Sequence, residues 1–467
     1  MPKKNGILRH IADIISQNKL LTSENEKLGK QNEELAEELE KYKSLLAKAG
    51  KAETTGKNLP EKKSAVLRYK TATVLYADIL GFEKFNPQFD PKSCVDSLDE
   101  IFIKLQHIAA KFPVRNIRTI GDSLMCVGGI PNKNITNPIE VLLAAIEMQY
   151  YLKDVQRSSE MGKIWKLRIG LHTGTVLADV SGKKRPHYEV KGETVNLAAR
   201  IRQFCEDGNI LISASTYELV KDLFECEYFK KMPVKYEGEM TLYLVKSIKT
   251  DFSLQGKGII PNKKFSIRFN LIQFTDLQEI ILDKLEKELP QSLYYHNVKH
   301  TVDVVTQVEL IGIGEGVSDE ELLLLKTAAL YHDAGHCVSY DNHEYFSCLI
   351  AREMLHDFYY TSNQIEQICD LIMATKLPPK PQNKLQQIIC DADLDYLGRS
   401  DMIPVANTLF MELKERSKIK SMKDWNKTQI KFISGHQYFT ETARNLREVN
   451  KQLQIERIKS LIIDEAE

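Results

Sequence analysis

The chain has 467 residues, of which 43% are hydrophobic and 27% charged, as in an ordinary soluble globular protein. This length allows two or three domains of roughly 100–200 residues each. Lys plus Arg and Asp plus Glu both number 64, so the charge balance does not favour nucleic acid or an anionic membrane as a partner. No apolar run approaches the ~20 residues of a membrane span, and the N-terminus lacks a signal-like apolar core. We therefore expect a cytoplasmic protein.

The N-terminal segment has a heptad repeat, which predicts a coiled coil over residues 1–48. The d positions hold Ile7, Ile14, Leu21, Leu28, Leu35 and Tyr42, and the a positions hold Ile11, Asn18, Asn25, Asn32, Leu39 and Leu46. Asn at an a position costs stability but favours a parallel dimer in one register. The alternative interpretation is a single amphipathic helix that packs on its own domain.

Two polar stretches divide the rest of the chain. Residues 49–66 are rich in lysine and interrupted by Pro60, which predicts a linker, and a second linker is predicted at 251–264. Between them, residues 67–250 carry strand signals in "TATVLYADI", "KLRIGLHTG" and "GNILISAST". Residues 265–467 instead show helical spacing of apolar side chains. The sequence thus predicts a multidomain α+β protein with a coiled coil, a mixed α/β domain and an all-α domain.

Two aspartates in the middle segment stand at strand ends. The stretch "TATVLYADILGF" predicts a strand that ends at Asp78, and "NIRTIGDSLMCVGG" predicts a hairpin with Asp122 at its turn. If the strands are neighbours, the two carboxylates can hold a hard divalent cation such as Mg²⁺. The alternative for an aspartate in a hairpin is simple turn chemistry. Further on, "HYEVKGETVNLAAR" places Asn196 and Arg200 four residues apart, on one face of a helix.

Four motifs, "ADILGF", "RTIGDSLM", "RIGLHTG" and "YEVKGETVNLAAR", occur in an order that resembles the class III nucleotidyl cyclases, the adenylate/guanylate cyclase family. The resemblance covers residues 67–250. It implies a ferredoxin-like βαββαβ core and an active site shared between two subunits of a homodimer. The coiled coil would then hold two cyclase domains together. The implied chemistry is attack of the 3′-OH on the α-phosphate of a nucleoside triphosphate, with release of pyrophosphate.

The same resemblance implies roles for individual residues. Asp78 and Asp122 would bind Mg²⁺ or Mn²⁺ through their carboxylates, and Ile79 would contribute its backbone carbonyl. Asn196 would orient the ribose. Arg200 would stabilise charge on the α-phosphate, since a guanidinium supplies donors matched to phosphate oxygens.

Arg118 and Glu189 stand where the family usually has the Lys and Asp that read the base. The sense of donor and acceptor is kept, which fits adenine and makes ATP the predicted substrate, with GTP or CTP as the alternatives. Lys235 is predicted to face the triphosphate, although Glu237 stands where the family often has a second Lys. Phe82 is predicted as a further substrate contact.

The C-terminal segment carries five histidines and two aspartates in the motifs "YYHNVKHTVDVV", "YHDAGH", "NHE" and "IICDADLDYLGR". A single histidine on an apolar helix is more often a core residue than a ligand, but this ordered set is not well explained that way. It resembles the HD superfamily of metal-dependent phosphohydrolases over about residues 280–400. The first motif is similar to the helix that opens the site of cyclic-nucleotide phosphodiesterases.

This second resemblance implies a metal site and a general acid. The first metal would be held by His300, His332, Asp333 and Asp391. His336 and His343 would lie near a second metal or the phosphate, and His296 would protonate the leaving oxygen. Imidazole and carboxylate ligands together suit Mn²⁺, Fe²⁺ or Zn²⁺, with or without Mg²⁺. Such a cation would make water nucleophilic near neutral pH.

Three functions remain open at this point. The HD-like domain can hydrolyse a phosphodiester, including the cyclic nucleotide that the middle domain would make. It can instead be a non-catalytic module that binds metal or nucleotide and regulates the cyclase. In the third interpretation the chain is a coiled-coil scaffold with two degenerate domains, against which the intact Asp, Asn and Arg positions count.

Overall fold

The computed structural model describes residues 65–81, 90–120, 123–158, 162–181, 187–234 and 238–464. The predicted coiled coil, and all but the last two residues of the first predicted linker, lie outside the described residues. Within the described part, residues up to about 248 form a sheet with helices, and the following residues are helical.

The sheet half begins with a strand, helix, strand, strand, helix and strand. Its strands are β1 Ala65–Leu80, β2 Val114–Ile120, β3 Ser123–Gly128, β4 Lys166–Ser181, β5 His187–Lys191, β6 Ile210–Ser213, β7 Phe224–Val234 and β8 Gly238–Ile248. Its helices are α1 Pro91–Lys111, α2 Asn137–Ser158, α3 Glu193–Phe204 and α4 Ala214–Val220. The strands lie in the order β2-β3-β1-β4-β6-β8-β7, with β5 paired to β4. The chain order from β1 to β4 is the βαββαβ arrangement that the resemblance implied.

Both faces of this sheet are covered, and β1 shows how the sequence achieves this. Leu75 and Ile79 belong to the core cluster that includes α1 and α2, whereas Val74 and Tyr76 belong to the cluster that includes α3. Successive side chains of a strand point to opposite faces. Asp78 therefore continues the second set and faces α3, and the apolar alternation of β1 determines where this carboxylate points.

The C-terminal half consists of α-helices joined by short turns. They are α5 Lys263–Glu288, α6 Val298–Gly314, α7 Asp319–Tyr331, α8 His343–Met354, α9 Ser362–Ala374, α10 Lys384–Asp393, α11 Met402–Glu415, α12 Met422–Gly435 and α13 Glu441–Asp464. Among the described residues, no helix combines the length and the apolar character that crossing a membrane requires.

Helix α5 is shared by the two halves. Phe265 near its start packs in the core of the sheet half, where its ring meets that of Phe224 edge to face, and Leu277 and Ile281 pack in the helical core. The segment predicted as a linker at 251–264 is not a free tether, because it folds back on β8. The backbone N–H of Ile248, for example, donates to the carbonyl of Gly258 at 2.8 Å.

Candidate functional site

The ends of β1 and β3 lie side by side. The two strands pair in antiparallel fashion with Asp78 opposite Ser123, and Ser123 in turn lies opposite Ile120 at the end of β2. This register is what the predicted hairpin requires. The predicted second carboxylate, Asp122, immediately precedes Ser123 but lies outside the described residues. The side chain of Ile79 is buried, and the role predicted for this residue concerns only its backbone carbonyl.

The carboxylate of Asp78 is buried, with 3% of the residue exposed, and it is fully engaged. Its Oδ1 accepts hydrogen bonds from Ser123 Oγ at 2.5 Å and from Arg202 Nη1 at 2.7 Å. Its Oδ2 accepts from Nε and Nη2 of Arg168 at 3.2 and 3.0 Å. Neither arginine was predicted as a site residue, although both lie in the motifs that carried the family resemblance or next to them. The site therefore combines one buried carboxylate with two guanidinium groups.

Helix α3 presents two different faces. Arg202 contacts Asp78 of its own chain, whereas Arg200 donates from Nη2 to the carbonyl of Pro233 at 2.7 Å and Asn196 is exposed. Two residues apart on a helix correspond to about 200° of rotation. The predicted catalytic face with Asn196 and Arg200 is thus turned away from the carboxylate of the same chain.

The predicted base-reading residues are only partly described. Glu189 lies on β5 with its side chain 62% exposed. The ammonium group of Lys191 forms ion pairs with Glu189 at 3.1 Å and with Asp179 at 3.2 Å. Arg118 lies on β2, but its side chain is outside what the structure describes. Phe82 and Lys235 also lie outside the described residues.

In the helical half, a tight turn joins the predicted ligands at the end of α7 to the start of α8. Ser347 Oγ donates to the carbonyl of His332 at 2.7 Å and accepts from the N–H of Gly335 at 2.8 Å. A Cβ at Gly335 would collide with the carbonyl oxygen of His343, so this approach requires glycine. The turn thereby holds Asp333 and His343 on one side of the site.

Six side chains form two adjoining groups, and Asp333, a member of the second, also approaches the first. The groups are His300, His332 and Asp393, and His296, Asp333 and His336; within each group the possible ligand atoms lie within 4.8 Å of one another. Asp333 Oδ2 is 3.2 Å from His332 Nε2 in the first group, and its Oδ1 is 3.9 Å from His336 Nε2 in the second group and 3.4 Å from the neighbouring His343 Nε2. One carboxylate is thus placed to serve both groups. The resemblance predicted five of these six residues.

The chemistry of these donors fits a metal centre. His332 Nδ1 donates to the carbonyl of Ala329 at 2.8 Å, which leaves Nε2 to face Asp333, as is usual for metal-binding histidines. Neither ring nitrogen of His336 has a hydrogen-bond partner among the described residues, although the ring is buried. Burial lowers the pKa of His336 to about 3, so the ring is neutral, which is the form that binds metals. An unpartnered buried imidazole is costly unless a ligand satisfies it.

The fourth predicted ligand of the first metal is corrected by the structure. Asp391 is fully buried and its carboxylate accepts hydrogen bonds from the N–H groups of Phe439 and Thr440 and from Thr440 Oγ1. Asp393 takes the predicted place, with its Oδ1 3.1 Å from His300 Nε2. The two aspartates are separated by about 200° around α10, so only one of them can face the histidines. Asp391 instead anchors the segment that leads into α13.

Substitutions at these two aspartates should have different consequences. We expect Asp393→Ala to lose the metal of the His300 group while keeping its fold. Asp391→Ala should keep the metal but lower the free energy of unfolding by about 1–3 kcal/mol, because buried N–H groups lose their acceptor. Metal analysis of the purified variants together with urea unfolding checks both outcomes. Loss of metal in Asp391→Ala with full metal in Asp393→Ala would reverse the assignment.

His296 is held by a buried glutamate that the sequence did not reveal. Its Nδ1 lies 2.6 Å from Oε1 of Glu412, and Oε2 of the same carboxylate accepts from the N–H groups of Tyr295 and His296. Burial opposes a charge on His296, but the hydrogen bond to Glu412 and the negative charge of Asp333 outweigh it and raise the pKa of His296. The ring thus tends to carry a proton, and Nε2 is the nitrogen left to deliver it.

A cavity of about 530 Å³ adjoins this group of side chains. Its polar end includes His296, Asp333 and His343, and its other walls come from α11 and α12. Such a volume falls within the range of small-molecule sites in proteins. The cavity is large enough for a phosphate ester. The His/Asp groups and the proton donor His296 beside it have the chemistry needed to cleave one.

Comparison with known proteins agrees with this geometry. The family model of the adenylate and guanylate cyclase catalytic domain matches residues 65–247, and the HD domain model matches residues 297–395. The chain therefore contains a class III adenylate/guanylate cyclase catalytic domain and an HD domain. These matches confirm the two resemblances on which the sequence predictions rested.

The matches to three individual relatives each cover less than half of this chain. Guanylate cyclase soluble subunit beta-2 of Homo sapiens is 31% identical over 203 residues, which are 43% of this chain and 33% of that protein. Soluble guanylate cyclase gcy-34 of Caenorhabditis elegans is 34% identical over 181 residues, 38% of this chain and 26% of that protein. The solved adenylyl cyclase CyaB from P. aeruginosa is 26% identical, with a TM-score of 0.37, and the match covers 40% of this chain and 98% of that one. The chain thus spans a third or less of the length of the two curated relatives.

Proposed function

We propose that the chain makes and removes a cyclic nucleotide. Its cyclase domain converts ATP to 3′,5′-cyclic AMP and pyrophosphate as a homodimer, and its HD domain hydrolyses the cyclic nucleotide to the linear 5′-monophosphate. The observation that carries the second half is the cavity of about 530 Å³ beside His296 and Asp333. It lies in the same chain as a domain whose family forms cyclic nucleotides.

The faces of α3 support a dimeric cyclase site. Asn196 and Arg200 lie on a face turned away from Asp78 of their own chain, so they can act on a substrate only if it is bound by another subunit. Asp78 and Asp122 would hold Mg²⁺ or Mn²⁺, which would supply charge neutralisation at the phosphates and activation of the attacking hydroxyl. In this arrangement Arg200 of one chain donates to the α-phosphate bound by the partner, and Asn196 fixes the ribose.

ATP is our first candidate because Arg118 can donate to N1 of adenine and Glu189 can accept from its N6 amino group. GTP is the second candidate, since relatives that are 31% and 34% identical are named guanylate cyclases. Incubation of the purified full chain with ATP, GTP and CTP, with identification of the products by mass spectrometry, decides between them. Cyclic GMP as the dominant product would refute the ATP assignment and leave the cyclase function standing.

In the HD domain, different residues would bind the metal, donate the proton and position the proton donor during hydrolysis. His300, His332, His336, Asp333 and Asp393 would hold Mn²⁺, Fe²⁺ or Zn²⁺, which would activate water and neutralise the phosphate. Water gives up one proton to solvent, and the resulting hydroxide attacks phosphorus while the bond from phosphorus to the 3′-oxygen breaks. His296 delivers its Nε2 proton to that oxygen, and Glu412 holds the ring in position and stabilises the imidazolium.

The far wall of the cavity is suited to a base. Trp425 and Gln429 line it, both are buried, and Nε1 of the first and Oε1 of the second have no hydrogen-bond partner among the described residues. One is a donor and the other an acceptor, and a purine edge presents both complements. Phe432, which is 37% exposed, offers a ring on which a planar base can stack. These features favour a nucleotide over a simple phosphate ester.

The role of His296 is tested by His296→Ala. We expect hydrolysis of cyclic AMP by the full chain to fall by about 10²–10⁴-fold, the usual contribution of a general acid, while the metal content is unchanged. Glu412→Gln should give a smaller loss and move the alkaline limb of the pH profile to lower pH, because the charge of Glu412 raises the pKa of His296 and a general acid is lost when it deprotonates. Loss of metal in His296→Ala would instead make His296 a ligand. Full metal with no turnover of any cyclic nucleotide by the unaltered chain would favour a sensor module.

A further inference from the structure

The hydrogen bonds of Asp78 leave no room for a cation. An ionised carboxylate has two oxygens and about four lone-pair positions. Ser123 and Arg202 occupy those of Oδ1, and the two donors of Arg168 occupy those of Oδ2. A divalent cation that binds this carboxylate must therefore displace a donor that is already present.

Among the three donors, Arg202 is the one held least completely. Arg168 binds Oδ2 with two hydrogen bonds, and Ser123 is fixed because its strand pairs with that of Asp78. Arg202 uses the single nitrogen Nη1 for both of its contacts here, with Asp78 Oδ1 at 2.7 Å and Ser123 Oγ at 3.0 Å, and its buried Nε has no hydrogen-bond partner among the described residues. An unsatisfied buried donor costs free energy, so the present position of this guanidinium is a compromise.

The backbone of Arg202, in contrast, cannot move far. A Cβ at Gly170 on β4 would clash with the backbone of Arg202, so helix and strand are in direct contact there. The guanidinium itself lies 5.4 Å from the centre of the Tyr76 ring, and 15% of the side chain is exposed. The backbone is thus pinned while the charged end borders solvent, which allows the side chain to swing away without any movement of α3.

We propose that Arg202 is a displaceable counter-cation of Asp78. It neutralises the buried carboxylate while no metal is bound, and a divalent cation binds only after the guanidinium has released Oδ1. Arg202 therefore weakens metal binding at the cyclase site and sets the metal concentration at which the site becomes occupied. This inference rests on the proposed role of Asp78 as a metal ligand, and it assigns to Arg202 a positioning role rather than a catalytic one.

The test is Mn²⁺ binding by the full chain, followed by electron paramagnetic resonance. All proteins carry Asp333→Ala so that the HD site does not compete for the ion, and Asp78→Asn defines the signal that does not come from the cyclase site. We expect Arg202→Met to bind Mn²⁺ about 10-fold more tightly than the parent, as loss of one competing charge-assisted hydrogen bond implies. Arg202→Gln, which keeps a neutral donor, should lie between them.

A matched control is Arg268→Met, which removes a guanidinium that pairs with Asp222 at 3.9 Å and should leave Mn²⁺ affinity unchanged. Equal or weaker Mn²⁺ binding in both Arg202 variants, or no Mn²⁺ signal that depends on Asp78, would overturn the inference. Assay of cyclic nucleotide formation in the same samples tests the role of Arg202 separately from the proposed cyclase function. Product formation with unchanged Mn²⁺ affinity refutes the role of Arg202 alone, whereas tighter Mn²⁺ binding without any product refutes the cyclase proposal.

Discussion

Replacement of Asp333 by Ala is expected to remove the bound metal from the HD domain and to abolish hydrolysis of the cyclic nucleotide. Asp333 is the only carboxylate, among the residues that the structure describes, whose two oxygens approach histidines of both groups, at 3.2 Å from His332 and 3.9 Å from His336. Without it, each group loses a charged ligand and the histidines lose the charge that balances a cation. We expect turnover to fall by roughly four orders of magnitude or more, since activation of water depends on the metal.

The measurement for this variant is metal content by mass spectrometry together with hydrolysis of cyclic AMP and cyclic GMP. Asp283→Ala is the matched control, because Asp283 is exposed and pairs with Lys287 one helical turn away, a type of contact that contributes little to stability. The control should keep metal and activity. Cyclase activity should survive in Asp333→Ala, because the two sites share no ligands. Full metal content in Asp333→Ala would mean that the histidine groups have been misassigned.

Asp78→Ala and Arg200→Ala are each expected to abolish formation of the cyclic nucleotide, and a mixture of the two proteins should regain part of it. The reason is that Arg200 and Arg202 point in different directions from α3, and Arg202 is the one that meets Asp78 of the same chain. If subunits exchange at random, half of the dimers are mixed and each has one intact site of two, which gives about a quarter of the full rate.

The mixing experiment should be followed with differently tagged chains, so that the fraction of mixed dimers is known. A rate that rises in proportion to that fraction would establish the shared site. No recovery in samples shown to contain mixed dimers would contradict it and would mean that each active site is built within one chain.

The metal centre shows how far sequence reasoning reaches. His332, Asp333 and His336 are close in the chain, so local pattern predicts them, whereas His296 precedes the first residue of α6 and does not share a helix face with His300. The choice between Asp391 and Asp393 depends on the rotation of α10 relative to α6 and α7, which the alternating aspartates of "CDADLD" do not encode. Packing of the helices decides it, and the sequence prediction was wrong at that position.

Long-range partners were missed for a related reason. Glu412 lies 116 residues from His296 and has no motif around it, so only the docking of α11 reveals the pair. Arg168 and Arg202 meet Asp78 across 90 and 124 residues. A possible signal was the presence of two arginines beside strand and helix motifs that were already assigned to a phosphate-binding site.

The most direct test of the central claim is a time course with the full chain supplied with ATP, GTP or CTP and divalent metal, in the unaltered protein and in Asp333→Ala. We predict that one triphosphate, ATP by our assignment, yields its cyclic nucleotide transiently and then the linear 5′-monophosphate in the unaltered protein. In Asp333→Ala the same cyclic nucleotide should accumulate, with pyrophosphate in equal amount. A cyclic nucleotide that accumulates identically in both proteins would contradict hydrolysis by the HD domain, and absence of any cyclic nucleotide from both would contradict the cyclase.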